Sequence, residues 1–289
     1  MEHAGWDKIR IKNLEVFGNH GVFPEENKLG QKFLVSAVLY TDTREAGLTD
    51  DLTKSIHYGE VSHFITKFMS KNTYQLIESA AEQLARALLL EYERLEWIDL
   101  EIQKPWAPIG LPLESVSVEV SRGWHLAYIA VGSNLGDKGE YIRQGVAALK
   151  ACSDCRVEKE SELIVTKPYG VTDQPDFLNG MLQVKTLLTP AELLDKLHEI
   201  EQLAKRERRV HWGPRTLDLD IIFYDDLVLD TEQLTIPHPD MQNRGFVLEP
   251  LAELAPWYRH PVLGKTVKEL LESVTVHIPV NCNWKSGLT

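Results

Sequence analysis

Two carboxylates, Asp218 and Asp220, stand two positions apart in the run Leu217-Asp218-Leu219-Asp220-Ile221-Ile222-Phe223-Tyr224. The run reads as a buried strand, with apolar residues on both faces and aromatic β-formers at its end. A strand alternates faces and rises about 3.3 Å per residue, so the two carboxylates share a face and lie within roughly 7 Å. Oxygen ligands at that spacing suit one or two hard divalent cations with open positions for substrate phosphates. The plainer alternative is a pair of inward charges that keeps an edge strand from pairing with a neighbour. The preceding segment favours the first reading. Lys205, Arg206, Arg208, Arg209 and Arg215 crowd into one stretch of a chain whose formal net charge is −12. Cations concentrated beside a carboxylate pair in an acidic protein point to a polyphosphate–metal site rather than to a solvated helix end.

A chain of 289 residues implies two domains of ordinary size, and 43% hydrophobic content supplies their cores. A pI near 5.3 argues against a nucleic-acid or anionic-membrane partner. The first residues contain no apolar signal segment, and no later apolar run is long enough to span a bilayer, so a cytoplasmic protein is expected. Cys152 and Cys155 have CxxC spacing, but no second pair completes a zinc site, so reduced surface thiols in a turn are expected. Cys282 falls in a polar tail.

In the first half, Ile9 to Phe17, Lys32 to Thr41, Trp97 to Lys104 and Val116 to Arg122 read as strands. Apolar residues at helical spacing place helices over Gly59 to Ser70 and from Ile77 to Leu88. The resulting ββααββ order predicts an antiparallel α+β unit of about 120 residues.

Four motifs occur here in order: Phe17-Gly18-Asn19-His20-Gly21-Val22-Phe23-Pro24-Glu25-Glu26, Ile56-His57-Tyr58-Gly59-Glu60, Leu76-Ile77-Glu78, and Lys104-Pro105. With them residues 7 to about 122 resemble dihydroneopterin aldolase, a tunnelling-fold (T-fold) enzyme that works without a cofactor. The resemblance implies that Glu78 accepts the paired N–H groups of a pterin ring in a bidentate contact, with Ile77 and His57 lining the ring. Without it, Glu78 reads as a first-turn acid favouring the helix dipole. Retro-aldol cleavage takes a proton from a side-chain hydroxyl and delivers another to the ring system. The resemblance assigns that traffic to Lys104, through a water and with a pKa lowered by burial, while Tyr58 and Glu26 orient the hydroxyls and the water. By residue type alone these are a surface lysine, a core tyrosine and a loop acid. The family further implies a homo-oligomer formed through this domain, with sites between subunits. A catalytically silent assembly ring and an epimerase acting on related neopterins are the alternatives.

The second half, beginning after a short polar join, opens on an apolar strand and the glycine turn Gly132-Ser133-Asn134-Leu135-Gly136-Asp137-Lys138-Gly139. Those glycines fit neither Rossmann nor Walker spacing, and no Tyr-x-x-x-Lys is present to support a short-chain dehydrogenase. Helices follow through Ile142 to Leu149 and from Pro190 to Leu203, with strands over Val157 to Thr166 and Phe177 to Thr186. The motifs Ala130-Val131-Gly132-Ser133-Asn134-Leu135-Gly136, 173–179, 212–220 and 237–246 resemble those of hydroxymethyl-dihydropterin pyrophosphokinase. The resemblance covers about 126–275, and domains of 1–123 and 124–289 follow from it. It implies a three-layer αβα sandwich around a ferredoxin-like sheet, with Asp218 and Asp220 holding two Mg²⁺ ions on the phosphates of ATP. It names Arg206 and Arg215 as clamps on the transferred group, and Glu201, Arg208, Trp212, His238 and Arg244 as further ATP contacts. Phe177 and Phe246 sandwich the flat pterin while Asn179 and Thr166 bond its polar edge. Taken as residues alone, both phenylalanines read as core packing. The whole chain then performs two consecutive steps at a pterin in folate synthesis.

Overall fold

The computed structural model describes residues 5–168, 174–204 and 216–276, and the chain divides into two compact units, 1–124 and 125–289. The first unit runs β1 (Asp7–Gly18), α1 (Pro24–Leu29), β2 (Gln31–Thr41), α2 (Arg44–Thr49), α3 (Tyr58–Lys71), α4 (Ile77–Glu91), β3 (Trp97–Lys104) and β4 (Val116–Gly123). Its four strands form one antiparallel sheet in sequence order. Alternation decides which face is covered. Phe33, Val35, Ala37 and Leu39 of β2 and Ile98, Leu100 and Ile102 of β3 are buried. So are Val61, Ile65 and Met69 of α3 and Ala81, Leu84 and Leu88 of α4. A turn of α1 occupies part of what the sequence reads as a loop. Pro24 at its first turn and the Glu26 side chain, which accepts the Phe23 N–H, start it.

The second unit runs β5 (His125–Ser133), α5 (Lys138–Lys150), β6 (Cys155–Glu160), β7 (Ile164–Thr166), β8 (Phe177–Thr186), α6 (Pro190–Leu203), β9 (Asp218–Tyr224), the hairpin β10 (Leu229–Asp230) and β11 (Thr235–Ile236), α7 (Gly245–Leu254) and α8 (Val267–Val276). The sheet order is β6-β8-β5-β9, with β7 also on β8, and every pairing is antiparallel. The strand expected over Val157 to Thr166 is two strands, because the chain leaves the ladder between Glu160 and Ile164. Two cores flank the sheet. One gathers Leu219 and Ile221 with Val146 and Leu149 of α5 and Leu193 and Leu197 of α6. The other gathers Ile222 and Phe223 with Leu248 and Leu251 of α7 and Leu270 of α8. The unbroken apolar end of β9 is buried on both sides for that reason.

Helix starts follow their cap residues. Thr189 and Glu192 form a reciprocal capping box ahead of α6. Asp137 accepts the Glu140 N–H at 3.0 Å and so fills the N-terminus of α5, where a phosphate loop would leave its amides open. Cys155 corrects the expected surface thiol: it is buried, contacts the Thr186 hydroxyl at 3.4 Å, and burial first of all pushes its thiol up to about 12. Cys152 is half-buried, and Cys282 lies outside the described residues. Among the described residues no helix is long and apolar enough to cross a membrane.

Candidate active sites

In the first unit, β3 ends on Lys104, whose ammonium lies 2.5 Å from Glu26 Oε1. Both residues are buried, at 9% and 8% exposure. The Gln31 amide N–H₂ donates to the same oxygen at 3.0 Å, and the Phe23 N–H donates to Oε2 at 3.1 Å. Burial by itself would raise the Glu26 carboxyl. The Lys104, Phe23 and Gln31 donors outweigh it and hold the group below its ordinary value. The structure thus joins two residues 78 positions apart into one ion pair.

Gly21 makes this approach possible. Its φ is +151°, and a Cβ there would stand 2.2 Å from Glu26 Oε2. Gly21→Ala is therefore expected to lose about 1–3 kcal/mol of stability from backbone strain, and more if the carboxylate is displaced. Denaturant unfolding checks it, and an unchanged midpoint would refute the account. The neighbouring His20 is fully buried, edge-on to Phe33 and stacked on Tyr74, and burial pushes its pKa down. A neutral imidazole accepting the Tyr74 N–H at 3.2 Å is a packing element of this loop.

Of the other four residues expected at this site, His57, Tyr58 and Glu78 sit on the surface and Ile77 is buried. His57 caps α3, its Nδ1 accepting the Gly59 and Glu60 N–H groups, and Tyr58 beside it is 64% exposed. Ile77 is buried at the start of α4 while Glu78 points outward. No hydrogen bond or ion pair among the described residues links Tyr58, His57 or Glu78 to the Lys104–Glu26 pair.

The second unit holds a cavity of about 270 Å³ whose lining includes Thr166, Phe177, Asn179, Asp218, Asp220, His238, Arg244 and Phe246. Eight residues singled out from the sequence, spread over some eighty positions, meet here. The floor is the centre of the sheet. Gly132 on β5 pairs with Asn179 on β8 and with Asp218 on β9, and Ala130 pairs with Asp220. A Cβ on Gly132 would stand 2.8 Å from the Asn179 carbonyl oxygen. Small residues on the central strand therefore leave room between polar groups on its two neighbours. The Asn179 N–H₂ donates to the Thr166 hydroxyl at 2.7 Å, which fixes its carbonyl toward Gly132.

Asp218 and Asp220 share the half-buried face of β9, while Leu217, Leu219 and Ile221 point into the core. Glu201 does not line the cavity. It is buried, and its carboxylate accepts the Leu219 N–H at 2.9 Å, bracing β9 between the two aspartates. Burial and then the Arg244 charge push His238 below its ordinary value, so a neutral imidazole faces the cavity. Arg244 donates from Nε to Asp240 at 3.2 Å and lies 5.9 Å over the Phe246 ring. Lys205, Arg206, Arg208, Arg209, Trp212 and Arg215 lie outside the described residues.

The glycine turn and the segment before β8 are tied together by residues that spacing did not single out. The Asn134 N–H₂ donates to the Gln174 side-chain oxygen Oε1 at 3.0 Å, and the Lys138 ammonium donates to the Asp176 backbone carbonyl at 2.6 Å. Gln174 and Lys167 also line the cavity, and Lys167 is paired with the Asp176 carboxylate at 3.0 Å.

Residues 128–256 match the family model for 7,8-dihydro-6-hydroxymethylpterin-pyrophosphokinase. The 2-amino-4-hydroxy-6-hydroxymethyldihydropteridine pyrophosphokinase of Bacillus subtilis is 48% identical over 130 residues, covering 45% of this chain and 78% of its own length. The chain belongs to the hydroxymethylpterin pyrophosphokinase family. Residues 9–121 match the dihydroneopterin aldolase model, so aldolase and pyrophosphokinase domains occur in one chain. The folic acid synthesis protein fol1 of Pneumocystis carinii is 30% identical over 289 residues, which is 94% of this chain but only 38% of that protein. This chain thus spans about two fifths of that relative's length. The structure of E. coli dihydroneopterin aldolase in complex with neopterin aligns with a TM-score of 0.38 and 26% identity, over 40% of this chain and 99% of the other. The cavity described above lies wholly within the pyrophosphokinase domain.

Proposed function

We propose that the chain catalyses two consecutive steps on one pterin. The aldolase domain, 1–123, cleaves dihydroneopterin to 6-hydroxymethyl-dihydropterin and glycolaldehyde. The pyrophosphokinase domain, 124–289, transfers pyrophosphate from ATP to the new hydroxymethyl group and releases AMP. The observation that carries the reading is the cavity of the second unit, where two carboxylates, two aromatic rings, a bonded Asn–Thr pair, a histidine and an arginine converge. The finer fold names, a T-fold for the first unit and a ferredoxin-like αβα sandwich for the second, belong to the same reading.

In the second unit Phe177 and Phe246 hold the flat ring between them, and Asn179 with Thr166 bonds its polar edge. Asp218 and Asp220 fit Mg²⁺: they are hard oxygen donors on one face of a braced strand, opening into a cavity. Asp218 and Asp220 would hold such ions, which would neutralise the charge of the triphosphate when bound. His238 and Arg244 bind the nucleotide phosphates, and Arg206, Arg208, Trp212 and Arg215 complete that set. The pterin hydroxymethyl oxygen then attacks the β-phosphorus in line and AMP departs. Catalysis on this reading is mainly positioning and charge compensation. Glu201, expected as an ATP contact, acts through β9 by fixing the backbone between the two aspartates.

In the first unit Lys104 and Glu26 move the protons of the retro-aldol step, with Tyr58 orienting the substrate hydroxyls and no cofactor required. Glu78, His57 and Ile77 bind the pterin ring. The exposure of Glu78 and His57 supports a homo-oligomer in which a neighbouring subunit closes the site over them. On this reading the chain works in the cytoplasm on small-molecule partners, pterins and ATP, and on neither nucleic acid nor membrane.

A coupled assay tests the reading. With dihydroneopterin as sole pterin, plus ATP and Mg²⁺, glycolaldehyde and AMP are followed separately. Both are expected. AMP formed only on supplied 6-hydroxymethyl-dihydropterin, with no glycolaldehyde, would reduce the first domain to a scaffold.

A further inference from the structure

We propose that Gln31 is a further positioning residue of the first unit: its buried side-chain oxygen holds the O–H donor through which Lys104 and Glu26 pass protons. The inference rests on the aldolase reading of that unit. Gln31 opens β2 and is 7% exposed. Its amide nitrogen donates to Glu26 Oε1 at 3.0 Å, the oxygen that also accepts from Lys104. An ionised carboxylate can only accept, so the orientation of the amide is not free: N–H₂ faces Glu26 and the carbonyl faces away. That oxygen is buried and has no hydrogen-bond partner among the described residues.

Buried acceptors are nearly always bonded, because leaving one open costs the full desolvation of the group. No side chain on the paired strand can supply the donor. The residue opposite Gln31 in the β1–β2 register is Gly18, and the space its Cβ would need is taken by His20. Lys104 and the Phe23 N–H both donate to Glu26. A buried acceptor without a donor among the described residues, held beside an acid–base pair, is a place for an O–H group.

The cleavage supplies such groups. The bond between the first and second side-chain carbons breaks. The hydroxyl on the second carbon loses its proton as that carbon becomes the aldehyde, the bonding electrons pass into the pterin ring system, and the first carbon takes up a proton. The departing proton sits on a substrate hydroxyl, and the arriving one is carried by water. A carboxamide oxygen orients either donor without competing for its proton, since the amide does not titrate in this range.

Gln31→Met in the full chain, which keeps length and volume but removes both amide contacts, tests the assignment. The kcat and KM for dihydroneopterin are measured beside the Kd of 6-hydroxymethyl-dihydropterin, which lacks the severed carbons. A fall in kcat of about tenfold or more, with KM and product Kd within twofold, assigns the oxygen to a proton-carrying water. A rise in KM of about tenfold, with product Kd within twofold, assigns it to a substrate hydroxyl. Gln31→Asn, which keeps an amide, should retain more activity than Gln31→Met in either case. The proposal is overturned if kcat and KM both stay within twofold. It is equally overturned if activity, product affinity and melting temperature fall together and alike in both variants. A wild-type chain that releases no glycolaldehyde would remove the aldolase reading and this inference with it, and that is settled before any variant is compared.

Discussion

Asp218→Ala should lower AMP formation by about 10³-fold or more while glycolaldehyde release continues at the wild-type rate. A factor of 10³ corresponds to roughly 4 kcal/mol of transition-state stabilisation, within the range a metal-neutralised phosphoryl centre supplies. Asp220→Ala should behave alike, because both carboxylates share the half-buried face of β9 and the same cavity. Neither side chain is part of either core: Leu217, Leu219 and Ile221 enter one and Ile222 and Phe223 the other. Removing one of two neighbouring like charges should therefore leave the melting temperature unchanged or slightly raised, the usual signature of a group kept for function. AMP quantified by chromatography, beside a thermal melt, makes the check. Retention of AMP formation within tenfold of wild type would remove Asp218 from the site.

Lys104→Ala should behave differently, because its loss costs both activity and stability. Glycolaldehyde release is expected to fall by about 10²–10⁴-fold, the range for a positioned acid–base group, with AMP formation on supplied 6-hydroxymethyl-dihydropterin unchanged. The substitution also strands Glu26, a buried carboxylate, without its cation. Breaking a buried pair from one side costs about 3–5 kcal/mol. Replacing both partners, as in Glu26→Gln with Lys104→Met, should recover most of that stability and none of the aldolase activity, which separates the two effects.

The pH dependence follows from the sign of the Glu26 shift. Its folded pKa lies below the ordinary 4.5, so its contribution is fully present above that value and is lost as pH falls through the lowered one. The wild-type chain should therefore lose stability below about pH 4.5 more steeply than Glu26→Gln. Parallel stability–pH curves for the two would contradict the ion pair.

Legibility from sequence tracked how local each signal was. Strand edges such as Trp97–Lys104 and Phe177–Thr186 follow directly from alternation and bounding residues. The Pro190 helix follows from its Thr-Pro-x-Glu start. The helical turn at Pro24–Leu29 is not legible in the sequence, because six residues are too few to show a period. The break between β6 and β7 is not legible in the same way: β-compatible residues flank the polar run 158–162 on both sides, and only the pairing with β8 shows where the ladder stops.

What the sequence by itself determined is the inventory of reactive groups and the faces they occupy: the aspartates two apart on a strand, the aromatic and amide residues at the start of β8, the lysine ending β3. Those are consequences of residue type and of a two-residue period, and they need no partner strand to be read. Only the tertiary structure decided which of them meet. Gly132 and Ala130 became the floor of a cavity because β5 lies between β8 and β9, an order that spacing does not encode. Glu201 became a brace on β9, and Gln31 a neighbour of Glu26 and Lys104, through contacts between segments separated by loops. Side-chain chemistry is a local property of the chain, whereas burial and partnership are set by packing between distant segments, and it is packing that turns a carboxylate, a lysine and an amide into a site.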